Sequence, residues 1–438
     1  MKIDVKEFTK ECGCGRTHDI RVKDIIIEQG AIQRLPELLS RGDYSQYQHM
    51  AIICDDNTYL AAGAAVLKEL PQSSCITLSP DGLHANEQAV AAVMRQLPAE
   101  IDLILAVGSG TIHDITRYIA NEKGIPFVSV PTAASVDGFV STVAAMTWEG
   151  YKQTFPAVSP ICVVADSSIF AKAPYRLTAS GVSDLLGKYI ALADWKIAHI
   201  VTGEYICERV CNLEYQALKK VSLNLEAIRS GKIDACEQLM YALLLSGIAM
   251  QMIGNSRPAS GAEHHFSHLW EMEAIHPHID AYHGEKVSVG LRIAVSVYHQ
   301  AEKELMAGNF KLNPNPGIET ELLKNAIASE KLYRQIIEEN TPDPLCAVNT
   351  GSLRSKIPEI VKVLQELPSV QSIEEMLTAA GCAKSLQDIG LPENVLQSSI
   401  RISPYVRSRL TFMRILKLFQ FDRNWEIDTL STIANKKE

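Results

Sequence analysis

The sequence predicts an α/β protein in two parts: an N-terminal parallel sheet layered with helices, then a half made mostly of helices. Three observations predict it. From residue 48 to about 130, short apolar runs alternate with amphipathic stretches of helical length, the pattern of βαβ units. Those runs lack in–out alternation, as strands covered on both faces do. From about Asp166 onward the apolar residues recur at helical spacing instead.

Taken in order, HMAIICDD is a buried strand, TYLAAGAAVLKELP a helix, CITLSP a strand, ANEQAVAAVMRQLP a helix and IDLILAVGSG a strand. HDITRYIANEKG follows as a helix and PFVSVPT as a strand. Beyond them, SDLLGKYIALADWKIAHI, EYICERVCNLEYQALKKVSLNLEAIRS, CEQLMYALLLSGIAMQMIG and EKVSVGLRIAVSVYHQAEKELM all show helical spacing. So do IETELLKNAIASEKLYRQIIEEN and RSKIPEIVKVLQEL, and only the terminal ANKKE looks frayed. The expected division is a Rossmann-like nucleotide-binding domain over residues 1–165 and a helical metal- and substrate-binding domain over 166–438, with the hinge between 161 and 177.

The chain has 438 residues, more than one ordinary core would hold. Its net charge is -9 and no block of Lys or Arg stands out, which argues against nucleic acid as a partner. The start, MKIDVKEFTKECG, lacks the apolar centre of a signal peptide, and no run of about 18 apolar residues suggests a membrane span. Ten cysteines without disulfide-framework spacing fit a reducing cytoplasm. The apolar stripes of the helical half lead us to expect a homo-oligomer, a dimer by preference. Near the start, CGCGRTH places Cys12, Cys14 and His18 within seven residues. Three such ligands could seed a zinc knuckle, but no second Cys/His cluster of matched spacing follows, so the expected reading is a glycine-rich turn entering a strand around 19–28.

Two loops have the chemistry of a nucleotide site. Gly108, Ser109 and Gly110 stand between a buried strand and a helix, where glycine lets the backbone approach a ligand and free N–H groups face a pyrophosphate. The third glycine of the dinucleotide fingerprint is missing, and Asp114 is expected in the helix's first turn. After the next strand, VPTAASVDGFVS collects Thr132, Ser135, Asp137 and Ser141 in ten residues, at the carboxyl end where α/β sheets bind ligands. Asp55 would reach a ribose or cap a helix equally well.

The segment SGAEHHFSHLWEMEAIHPHIDAYHG carries six of the chain's 12 histidines: His264, His265, His268, His276, His278 and His283. His264 and His268, four apart on a helix, share a face while His265 turns away. With Asp184 from an upstream helix they offer imidazole and carboxylate to a borderline divalent ion such as zinc, nickel or iron(II). Helix packing without a metal is the plain alternative.

AVGSGTIHD, VPTAASVDGF, GVSDLLGK, SGAEHHFSH and HGEKV occur here in the order found in the glycerol-1-phosphate dehydrogenases, which the chain resembles from about Gln48 to Ser296. That group sits in the superfamily of glycerol dehydrogenase, iron-type alcohol dehydrogenases and dehydroquinate synthase. The resemblance implies an active site in a cleft between the two domains, with metal ligands Asp184, His264 and His283. It implies NAD or NADP contacts from Gly110, Thr111, Ile112, His113 and Asp114, from Thr132, Ala133, Ala134 and Ser135, and from Ser141. Substrate contacts would be Asp137, Asp184 and His268. It implies reversible reduction of dihydroxyacetone phosphate to sn-glycerol 1-phosphate, with zinc or nickel polarising the carbonyl.

Under that resemblance His268, with an ordinary imidazole pKa, would bond the substrate or relay its proton, and Asp137 would hold a substrate hydroxyl or steady His268. Lys152, Arg176, Lys188, Arg257 and Lys286 are candidates for the phosphate, the last two nearest the histidines in sequence. The rivals are a polyol dehydrogenase for an unphosphorylated diol, a dehydroquinate-synthase-type lyase and a non-catalytic metal- and nucleotide-binding protein.

Overall fold

The computed structural model describes residues 3–421 together with Trp425, Leu430 and Ile433. The terminal ANKKE therefore lies outside the described residues. Among the described residues ten strands run in chain order as β1 (Asp24–Glu28), β2 (Met50–Asp55), β3 (Ser74–Leu78), β4 (Leu103–Gly108), β5 (Phe127–Pro131), β6 (Val143–Trp148), β7 (Tyr151–Pro156), β8 (Cys162–Asp166), β9 (Phe310–Leu312) and β10 (Phe419–Phe421). Six helices matter to the site: α1 (Gly110–Lys123), α2 (Tyr175–Leu186), α3 (Lys188–Thr202), α4 (Ile233–Ile253), α5 (Ala262–Glu271) and α6 (His283–Ala307).

The chain forms two compact units that interleave: Met1–Leu185 with Asn212–Ser256, and Leu186–Cys211 with Arg257–Glu438. The first unit holds a six-stranded parallel sheet in the order β1-β8-β5-β4-β2-β3. Every residue of β4, β5 and β8 is buried, which accounts for a run as apolar as LILAVG in β4. After β2 the chain places β3 on one side and β4 on the other, so the winding reverses at β2 and β4. Ligands of such sheets bind beyond the carboxyl ends of the strands at that reversal. The glycine turn after β4 stands there.

Three features were not expected from the sequence. The segment predicted to be a strand over 19–28 pairs only from Asp24, against β8. An antiparallel hairpin, β6–β7, follows the second polar loop. The long stretch 183–200 is broken at Gly187 into α2 and α3. Helix α4 is long and apolar enough to cross a membrane by length and composition, but most of it is buried inside the protein. Its all-round apolarity is that of a core helix.

Two helical glycines in this unit set how closely helices approach the loop after β5. A Cβ on Gly181 of α2 would stand 2.0 Å from the Ala134 carbonyl oxygen, and one on Gly247 of α4 would stand 2.8 Å from that of Asp137. Neither backbone oxygen can swing away as a side-chain tip would. Gly181→Ala is therefore expected to lower stability by about 1–3 kcal/mol, the usual cost of overpacking. Gly138→Ala, where a Cβ meets nothing within 4 Å, is its control. Equal melting temperatures for the two variants would show that the loop yields at no cost.

Candidate active site

The first unit brings two loops together. The N–H of Thr132 donates to the Gly108 carbonyl at 3.0 Å, so the turns after β4 and β5 are joined at the backbone. Gly108 has to be glycine, because a Cβ would lie 2.6 Å from that of Ile112. Ser109 is the N-cap of α1 but caps it with no side-chain hydrogen bond. The first N–H groups of a fourteen-residue helix are thus left to another acceptor. Asp114 is not in the first turn of that helix, since α1 begins at Gly110, and it ion-pairs with Arg117 at 2.9 Å instead.

The side chains of this segment divide their duties. Ile112 is core, and His113 is buried with Nδ1 on the Ser109 carbonyl (2.8 Å) and Nε2 on the Ser129 hydroxyl (2.7 Å). Burial pulls the His113 pKa down to about 3, so it stays neutral. Both residues can therefore meet a ligand only through the backbone, whereas Gly110 and Thr111 are partly open. In the next loop Thr132, Ala133, Ala134, Ser135 and Ser141 are all buried. The Ser141 hydroxyl bonds the backbone of Val143. The Ser135 hydroxyl is buried and makes no hydrogen bond among the described residues. An orphaned donor beside an uncapped helix terminus fits a phosphate-bearing cofactor.

Arg117, which the sequence did not single out, clamps the loop. Its guanidinium is buried and donates to the carbonyls of Gly138, Phe139 and Val143. Gln251 of α4 donates to the Val140 carbonyl and the Ser159 hydroxyl. Asp137 is held at both ends: its N–H donates to Asp184 Oδ2 at 2.9 Å, and its Oδ2 accepts from the Ser246 hydroxyl at 3.0 Å. Asp184 itself is fully buried. Asp55 caps a helix, its Oδ1 accepting the Thr58 N–H at 2.8 Å.

The second unit gathers three of the six histidines. Ring centroids are 5.1 Å apart for His264 and His283, 5.9 Å for His268 and His283, and 6.0 Å for His264 and His268. The close crossing of α5 and α6 that permits this needs Gly290, where a Cβ would lie 2.6 Å from the Glu263 carbonyl. His265 is buried on another side, while His276 and His278 bond Pro277 and Glu273 locally.

Two carboxylates missed in the sequence orient these rings. Glu263 Oε1 accepts from His264 Nδ1 at 2.7 Å, and Glu271 Oε1 from His283 Nδ1 at 2.6 Å. An acceptor on Nδ1 fixes the proton there and leaves Nε2 with its lone pair, the tautomer a metal ligand needs. Their spacing, E-H-H and H-x-x-E around the histidines, was the available signal. His268, Glu271 and His283 also bring ligand atoms within 4.8 Å of one another. Glu271 is engaged by His283 and by the Ser267 hydroxyl, so it serves here as an orienting acceptor. The donor chemistry fits a divalent ion.

His268 departs from its expected ordinary pKa. Burial holds it well below the usual imidazole value, Arg407, His283 and His264 push the same way, and Glu271 opposes them. Of the phosphate candidates, Arg257 is occupied by Glu204 and the Leu410 carbonyl, and Lys286 by the Ala281 carbonyl. Lys188 is fully buried and Arg176 exposed, with Lys152 on the β6–β7 hairpin. Arg407 lies in electrostatic range of both His265 and His268, and has no hydrogen bond or ion pair among the described residues.

Comparison with known proteins places these features. Residues 26–174 match the family model of iron-containing alcohol dehydrogenases. A glycerol-1-phosphate dehydrogenase (NAD(P)+) of Geobacillus stearothermophilus is 34% identical over 424 residues, covering 94% of this chain and 97% of that protein. The enzyme of that name from Thermococcus kodakarensis is 40% identical over 190 residues, 43% of this chain and 53% of its own. Among solved structures, a probable glycerol dehydrogenase from Sinorhizobium meliloti 1021 matches with a TM-score of 0.63 at 16% identity, covering 96% of this chain and 98% of that one. At that identity the likeness speaks for the fold alone.

Glu271→Gln keeps the shape of the side chain but removes the charge facing His283. Metal affinity is expected to fall about 10- to 100-fold, read by chelator competition, as for other outer carboxylates. An unchanged affinity would mean that Glu271 does not orient the ligand.

Proposed function

The chain belongs to the glycerol-1-phosphate dehydrogenase family, and from that premise we propose which of its residues carry the reaction. The protein is an NAD(P)- and metal-dependent oxidoreductase that interconverts dihydroxyacetone phosphate and sn-glycerol 1-phosphate. In the reducing direction the ketone gains a hydride and a proton to become a secondary alcohol. The nicotinamide supplies the hydride, and the divalent ion, when bound, supplies Lewis-acid polarisation of the carbonyl.

The remaining tasks fall to the protein. Asp184, His264 and His283 are the ion's ligands in this reading, and three protein ligands leave room for substrate. What carries the assignment is the pair of carboxylate–imidazole contacts, Glu263–His264 and Glu271–His283. Two imidazoles and one carboxylate suit zinc or nickel better than a hard ion such as magnesium. The cofactor's pyrophosphate is assigned to the N-terminus of α1, with Gly110 to Asp114 contributing chiefly backbone, and Thr132 to Ser135 and Ser141 forming the facing loop. The buried Ser135 hydroxyl supports that placement.

His268 is assigned a hydrogen bond to substrate rather than proton transfer, because burial keeps it neutral and a nearby cation depresses it further. Asp137 positions Asp184 through its N–H, and its carboxylate serves a substrate hydroxyl. Arg407 is assigned to the substrate phosphate. That none of the ten cysteines is joined in a disulfide supports a reducing, cytoplasmic setting.

The test is dihydroxyacetone-phosphate-dependent oxidation of NADH and of NADPH, with stripped protein re-supplied with zinc or nickel. Activity should vanish with the metal and return with one of the two, and His264→Ala and His283→Ala should neither hold the nitrogen- and oxygen-bound ion nor turn over. Turnover of glycerol or dihydroxyacetone alone would instead make the protein a polyol dehydrogenase. Arg407→Ala should raise KM for the phosphorylated ketone by about 10- to 100-fold, the worth of one charged hydrogen bond. The nucleotide KM should stay put. A KM unchanged for the ketone would exclude Arg407 as the phosphate's partner.

A further inference from the structure

We propose that Cys12, Cys14 and His18 form a second metal site, a structural zinc site separate from the catalytic ion. The segment that carried no role in the sequence is folded as a ligand turn. Gly15 sits at φ +78, in the left-handed region, and its N–H reaches back to the Cys12 carbonyl at 3.4 Å. That reversal turns Cys14 toward His18, four residues on, so that Cys14 Sγ stands 3.4 Å from His18 Nε2. Bonds of about 2.3 Å to sulfur and 2.0–2.1 Å to nitrogen at tetrahedral angles put two such atoms about 3.6 Å apart. The Sγ atoms of Cys12 and Cys14 and a His18 ring nitrogen lie within 4.8 Å of one another.

The other side of the ring gives an independent indication. His18 is buried, and its Nδ1 stands 2.7 Å from the Met252 carbonyl oxygen at the end of α4. A carbonyl can only accept, so the proton is on Nδ1 and Nε2 presents a lone pair toward the two thiols. This is the ligand tautomer, fixed by the protein before any ion arrives. Two thiolates and an imidazole select zinc among the common divalent ions, and zinc's fourth position falls to another thiolate or to water.

The experiment is zinc-edge X-ray absorption on the whole wild-type protein, with metal content per chain measured alongside. The catalytic ligands assigned above contain no sulfur, so sulfur at about 2.3 Å, at least two atoms per chain once the averaged signal is scaled by the metal content, reports this site alone. That readout does not depend on whether the catalytic assignment holds. We expect the sulfur shell, and we expect Cys14→Ser to lose one zinc per chain while keeping the nitrogen- and oxygen-bound ion. Should that variant fail to fold, the wild-type spectrum still decides. A zinc spectrum without sulfur, or a Cys12–Cys14 disulfide found by mass spectrometry in protein purified without oxidant, would overturn the proposal.

Discussion

A carboxylate that is to hold a metal ion, the part proposed for Asp184, has to be buried and aimed before the ion arrives, and here the backbone N–H of Asp137 does the aiming. That single hydrogen bond to Asp184 Oδ2 ties α2 to the loop after β5. The loop can reach α2 only because Gly181 has no side chain, and it keeps its shape because Arg117 binds three of its carbonyls from α1. The same stretch of backbone presents Ser135 toward the proposed cofactor position. The loop after β5 and Asp184 are therefore one mechanical piece, and a disturbance of either moves the other.

The three clustered imidazoles impose a second constraint. Charged imidazoles with centroids 5–6 Å apart would repel strongly where little water screens them. Burial keeps His268 neutral, while the carboxylate on Nδ1 of His264 and of His283 turns each Nε2 lone pair toward the open side. The positive side chains nearby push the same way: Arg409, which burial draws down to about 10, still carries its charge and disfavours protonation of His265.

Much of this was legible in the sequence, for identifiable reasons. β4 shows as LILAVG because burial on both faces removes any need for polar residues, and the turn after it shows because only glycine fits against Ile112. The facing of His264 and His268 follows from helical spacing alone. What stayed hidden depended on contacts distant in the chain. Arg117 looks like any helix-surface arginine until the loop 21 to 26 residues away wraps over it. Arg407 stands far downstream of the histidines it influences, and proximity in sequence pointed instead to Arg257 and Lys286, whose charges serve the fold. The β6–β7 hairpin was missed because MTWEGYKQTF is short and half polar. Gly150, with its positive φ at the turn, was its sparse signal.

The two proposed metal sites differ in a way that charge alone explains. Two thiolates cancel the charge of a zinc ion, and His18 then needs only a neutral carbonyl behind it, which Met252 provides. Such a site has no electrostatic appetite left for an anion and is suited to holding a turn in place. One carboxylate, Asp184, leaves a divalent ion with a net positive charge. There the imidazoles are backed by carboxylates, which strengthen them as ligands while standing behind the rings rather than on the ion. That charge would polarise the ketone and offset the negative charge that develops on its oxygen during reduction. The identity of the group behind each histidine, carbonyl or carboxylate, thus separates a site built to be inert from one built to polarise.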